Sequence, residues 1–145
     1  MTQRQFLLLA FSAASVVTAL VISGPGWSRG SVAIGLPSDV GRNGVAVGIS
    51  YNYLSDQDAD TEALKRCAAS PDSTHALCRV DTHFENQCFA MAMDPKPGTY
   101  GVGYKVAATQ RDADASALSD CQRTSKSDRS QYCQISYRIC DGAAN

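Results

Sequence analysis

Asp58-Ala59-Asp60-Thr61-Glu62-Ala63-Leu64-Lys65-Arg66-Cys67 returns later in the chain as Asp112-Ala113-Asp114-Ala115-Ser116-Ala117-Leu118-Ser119-Asp120-Cys121, with Asp, Ala, Asp, Ala, Leu and Cys at matching positions. In a chain of 145 residues, a self-match of this length marks a duplicated structural unit. Both copies read as helices. Ser55 before Asp58, and Thr109 before Asp112, make Ser/Thr-x-x-Asp caps that satisfy free N–H groups at a helix start. Asp56, Asp58, Asp60 and Glu62 suit the positive amino end of the first helix, and Lys65 and Arg66 its carboxyl end. Ala59, Ala63, Leu64 and Cys67 fall on one stripe at helical spacing, as do Ala113, Ala117, Leu118 and Cys121.

Around each helix the same strand order repeats. Residues 31–36 alternate small and apolar side chains, and residues 37–44 are rich in turn formers. Residues 45–53 then have period two, with Val45, Val47, Ile49, Tyr51 and Tyr53 on one face, so the two runs read as a hairpin. After the helix and a polar loop over 69–76, Cys78, Val80, Thr82 and Phe84 alternate with Arg79, Asp81 and His83. The second half matches: a run over 89–93, a turn over 94–98, a run over 100–106, the helix, a loop over 122–131, and Cys133, Ile135, Tyr137 and Ile139 alternating with Gln134, Ser136 and Arg138. The expectation is an α+β domain over 31–140, built from units 31–87 and 88–140 of strand, strand, helix, strand. Two helices cover a mostly antiparallel sheet, and 141–145 is a tail. One feature is unusual: the faces opposite the large apolar residues carry Ala33, Gly35, Ala46, Gly48, Ala90, Ala92, Gly101 and Gly103. Such a face either receives the helices closely or seats a partner chain.

The amino terminus reads as a targeting segment. Arg4 precedes an uncharged apolar stretch over 6–22, and Gly24-Pro25-Gly26 ends it. Residues 1–23 are read as a signal peptide and 24–30 as a linker, with an uncleaved membrane anchor as the alternative because the stretch is at the short limit for spanning. Ser31-Val32-Ala33 fits a cleavage pattern better than Val21-Ile22-Ser23, but cutting there would remove part of the first strand. No cysteine precedes Cys67, which excludes a lipid-modified cysteine at the start of the mature chain. Six cysteines in a short exported chain point to three disulfides and an oxidising compartment, periplasmic or extracellular. No CxxC or CxxH pair suggests a metal. Placing each helix stripe on the inward face of the following strand pairs Cys67 with Cys78 and Cys121 with Cys133. Cys88 and Cys140, both just beyond a third strand, are paired near an assumed pseudo-twofold axis.

The Glu62-Ala63-Leu64-x-x-Cys67 helix, the strand opened by Cys78, the step Asn86-Gln87-Cys88-Phe89-Ala90 and the second Ala117-Leu118-x-x-Cys121 helix resemble the small exported bacterial domain of unknown function 4189. The resemblance spans about residues 31–140. It implies a secreted or periplasmic bacterial protein and brings no catalytic residues.

Function is less legible. A net charge of −1 without a basic cluster disfavours nucleic acid, and a membrane contact is expected only through an uncleaved amino-terminal segment. The acids at the helix starts lack a calcium-loop pattern, no GxGxxG opens a helix, and no cofactor is expected. His75 lies in a polar loop. Arg79, Asp81 and His83, with Glu85 beyond them and Arg138 in the second unit, form an outward polar row and are the candidate binding residues, together with the two helix-to-strand loops. The expectation is an exported, disulfide-stabilised, non-enzymatic module that binds a protein or envelope component, such as a periplasmic inhibitor or immunity protein. The alternative is a small envelope hydrolase or secreted effector with His83 and Glu85 as acid–base residues.

Overall fold

The computed structural model describes residues 28–71, 73–126 and 128–145. The leader over 1–23 and most of the linker therefore lie outside the described residues. The remaining linker residues are part of the fold, because the first strand begins at Arg29. The elements are β1 (Arg29–Gly35), α1 (Val40–Asn43), β2 (Ala46–Tyr53), α2 (Asp56–Ala68), β3 (Arg79–Phe84), β4 (Cys88–Met93), β5 (Val102–Ala107), α3 (Gln110–Thr124) and β6 (Gln134–Cys140), with 3-10 turns at Ser73–Leu77 and Ser130–Tyr132. The α+β class and the six strands are as expected, and α1 is an additional single turn. Among the described residues, no helix is long and apolar enough to cross a membrane.

The strands form two antiparallel sheets, ordered β2-β1-β3 and β5-β4-β6. The division follows from the two kinds of face. Val32, Ile34, Ile49 and Phe84 of the first sheet pack with Phe89, Met91 and Val102 of the second, so the large apolar faces cover each other. The small-residue faces point outward and take the helices. Ala63 and Cys67 of α2 pack on Ala33 and Ala46, while Ala113, Ala117 and Cys121 of α3 pack on Ala90 and Ala92. The approach is close enough to require glycine: a Cβ on Gly48 would stand 2.0 Å from the Ala63 carbonyl oxygen, and one on Gly103 would stand 2.3 Å from Cys121 N. The layers run helix, sheet, sheet, helix, and the small-residue stripe is a helix seat in both copies.

The helix caps are those read from the sequence. Ser55 Oγ accepts from Asp58 N at 3.1 Å, and Thr109 Oγ1 accepts from Asp112 N at 3.2 Å. Three disulfides join Cys67 to Cys78, Cys88 to Cys140 and Cys121 to Cys133, with Cα separations of 6.0, 3.9 and 6.0 Å. The first and third tie a helix to the strand that follows it. The second has a different basis from the assumed axis: Cys88 and Cys140 are directly opposite on neighbouring strands of one sheet.

The tail beyond β6 is also built in. Asp141 is fully buried, and its Oδ1 accepts from Ser28 Oγ at 2.5 Å and from Asn52 N at 2.7 Å. Asn52 and Asn86 adopt φ of 62° and 49°, a region asparagine tolerates. From there Asn52 Oδ1 accepts from Gly142 N and lies 2.8 Å from Ser28 Oγ, and Asn86 Oδ1 accepts from Ala143 N.

Candidate functional site

The polar row expected on β3 is divided by a β-bulge. Val32 pairs with Thr82 but Ala33 pairs with Val80, so Asp81 is the extra residue on the bulged strand. Residues directly opposite on antiparallel strands share a face. Arg79 therefore shares the inter-sheet face with Ile34, whereas His83 shares the helix-facing side with Ser31. The bulge has a physical reason. Cys78 has to face α2 to reach Cys67, while Phe84 has to face the other sheet, and unbroken alternation would put both on one side. The second unit has the same irregularity between Met91 and Ala92, with Ser136 as the extra residue.

Four of the five candidate residues, all but Arg79, are engaged locally. Asp81 Oδ1 accepts from Tyr104 Oη at 3.3 Å, and burial, followed by the Asp81 carboxylate, pushes the Tyr104 phenol up. His83 Nε2 lies 2.7 Å from Asp60 Oδ1. The equivalent contact in the second unit is Arg138 Nη1 donating to Asp114 Oδ2 at 3.5 Å. His83 and Arg138 thus do one job twice: each links a third strand to the second aspartate of the repeated Asp-Ala-Asp. Glu85 pairs with Arg29 at 2.9 Å. Extending the register by one position from Gly30–Phe84 and from Phe89–Ile139 sets Arg29 and Glu85 where the second unit has Cys88 and Cys140. The ion pair is the first unit's counterpart of a disulfide.

These contacts bear on the chemistry. His83 faces Asp60 and Glu85 faces Arg29, so each already has a partner of its own. Ser31 Oγ donates to Asp60 Oδ1 at 2.7 Å, which puts a serine, an aspartate and a histidine side by side. Their order does not activate a nucleophile: the serine is fully buried and bonded to the carboxylate, whereas activation requires a bond to the imidazole. His75 lies on the exposed 3-10 turn. Among the described residues, no group of three or more His, Cys, Asp or Glu is placed to hold a metal ion.

The structure forms a concave site elsewhere. The turn segments of the two hairpins meet at one end of the sandwich and enclose a groove of about 420 Å³. Arg42 comes from the β1–β2 connection, Lys96 and Thr99 from the β4–β5 connection, Met93 from β4, and Gln134 and Ser136 from β6. The connections are pinned. Asp39 Oδ1 accepts from Arg42 N at 3.0 Å, and Gly44, at φ 73°, returns its N–H to Val40 O. Thr99 Oγ1 donates to Lys96 O at 2.8 Å, and the Tyr100 ring stands so near Gly41 that an added Cβ would be 3.0 Å away.

Beneath the groove, the buried Asp94 carboxylate is held by Arg129 through Nε to Oδ2 at 2.5 Å and Nη2 to Oδ1 at 2.7 Å, and by Lys96 N at 3.0 Å. The Arg129 guanidinium keeps the Asp94 carboxyl down at about 2, against the burial that opposes ionisation. Sequence reasoning missed this site because its walls come from turns of different units. The available signal was that turn segments at equivalent places in a duplicated chain come to one end of the fold.

The family model described as a domain of unknown function, DUF4189, matches residues 30–140, so the chain belongs to that family. No curated protein matches the chain. Among solved structures, the chain is similar to the NMR structure of Rv1813c from Mycobacterium tuberculosis, at 21% identity and a TM-score of 0.47, covering 96% of this chain and 100% of that one.

Proposed function

Starting from membership of the DUF4189 family, we propose that this protein is a non-enzymatic binding module of an oxidising compartment, exported to the bacterial periplasm or secreted, that engages a protein or envelope component. Three disulfides in so small a domain suit that compartment. The observation that carries the reading is the contrast between two places. The residues that could do acid–base work are each occupied in holding the fold, while the concave surface is lined by polar and apolar groups on pinned turns. The groove end replaces the polar row as the binding surface in this reading. A periplasmic inhibitor or immunity protein remains the concrete case.

The test is comparative capture with the intact, oxidised protein as bait against an extract of the periplasm. A partner retained by wild type and by His83→Gln, but lost with Arg42→Gln/Lys96→Gln, supports the reading. A partner lost with His83→Gln and kept by the groove variant returns the binding surface to β3. Turnover of an envelope substrate that depends on His83 and Glu85 would replace binding with hydrolysis.

A further inference from the structure

We propose that the groove between the two hairpin connections recognises an organic anion, a small molecule or end group carrying a carboxylate or phosphate, through Arg42 and Lys96; this rests on the groove being the binding end. Charge left over after pairing is the ground for it. The chain is almost neutral, at −1, and many of its cations are consumed elsewhere: Arg29 by Glu85, Arg66 by Glu62, Arg123 by Asp120, Arg129 by Asp94 and Arg138 by Asp114. Among the described residues, Arg42 and Lys96 make no ion pair, yet both line the same groove. One carboxylate lines that groove, Asp94, and both of its oxygens are already satisfied by Arg129 and the Lys96 backbone. Arg42 and Lys96 are therefore the cationic side chains of the lining left without an ion-pair partner.

The remaining wall suits an organic anion. Gln134 and Ser136 lie on the edge strand β6, with Met93 alongside, so polar and apolar contacts are available next to the charges. The volume is within the usual range for small-ligand sites, roughly 300–1,000 Å³. Pinning of the turns lowers the ordering cost of binding. An adjoining depression carries Lys126, whose Nζ lies 5.1 Å from the centre of the Tyr100 ring, with Asp128 and the paired Arg129 on the same wall.

The experiment is an NMR titration of the oxidised protein, followed by backbone amide shifts, with N-acetylglutamate, its uncharged dimethyl ester and glucose 6-phosphate as probes. The expected result is saturable shifts centred on residues 40–44 and 94–101 with one or both anions, weaker at higher salt. Arg42→Gln/Lys96→Gln is expected to weaken binding by about tenfold or more, with His83→Gln unchanged. The carboxylate and phosphate arms identify which oxyanion is preferred. Equal binding of the dimethyl ester would overturn anion recognition while leaving the groove as a binding site. No saturable shift at the groove with any probe would overturn the anion inference, and retention of the captured partner by the double variant would separately sink the binding-end reading.

Discussion

Replacing Arg29 and Glu85 by cysteine should create a fourth disulfide. The two residues occupy, in the first sheet, the position that Cys88 and Cys140 occupy in the second, and their side chains face each other, with Arg29 Nη1 2.9 Å from Glu85 Oε2. The new bond would close a loop of about 56 residues, which in the chain-entropy account is worth roughly 4 kcal/mol through the unfolded state. The half-exposed ion pair it replaces contributes about 1 kcal/mol or less. The net expectation is about 3 kcal/mol, or a rise in Tm on the order of 10 °C for a domain of this size. The assay is thiol titration of the folded Arg29→Cys/Glu85→Cys protein, peptide mapping without reduction, and urea unfolding beside the wild type. Free thiols persisting under oxidising conditions would refute the equivalence of the two sites. So would a bond between the two introduced thiols that left the unfolding midpoint unchanged or lower.

Gly48→Ala and Gly103→Ala should each destabilise the fold by about 3 kcal/mol or more, because the added methyl meets helix backbone rather than a movable side chain. In the same urea assay, Gly41→Ala, which faces the Tyr100 ring, should cost under about 1 kcal/mol; similar losses at all three would contradict the close helix seats. The Asp94 carboxyl is held at about 2, below its unfolded value of about 3.9, so its contribution is present above about pH 4 and is lost as pH falls toward 2. Stability curves should therefore show Arg129→Gln weaker than wild type at pH 7 and flatter between about pH 4 and 2, and parallel slopes would count against the pair. A chain started at Ser28 should fold, whereas one started at Ile34 loses most of the central strand β1 and should not; circular dichroism of the two, with the amino terminus of the protein isolated from cells read by mass spectrometry, decides this.

The two halves of this molecule differ in how far their residues announce them. Helix caps, the Ala–Cys stripes and the cysteine pairs of α2 and α3 depend on neighbours along the chain or one element away, so spacing, together with packing each helix on the strand that follows, reveals them. The division into two sheets depended on deciding which small-residue face was covered, and by what. The bulges at Asp81 and Ser136 were hidden because alternation in letters does not show where the backbone drops a register step. A hint was present, since Cys78 and Phe84 had separate partners to reach. His83, Glu85 and Arg138 stood out as chemistry because charged side chains on a strand look alike whether they bind a ligand or hold a fold together. Comparison with the other copy sorts the contacts: an imidazole and a guanidinium at equivalent places make the same strand-to-helix link, and an ion pair stands where the other copy has a disulfide.

The knot of Ser28, Asn52 and Asp141 has a practical consequence. It gathers both extremities of the described chain at the pole opposite the groove, with β1 and its partners running about 20 Å between the two poles. Anything joined ahead of Ser28 or behind Asn145, including a fusion tag, a resin linkage or a lipid-embedded stem, departs from the far side and leaves the opening unobstructed. The domain can be immobilised by either extremity without blinding it.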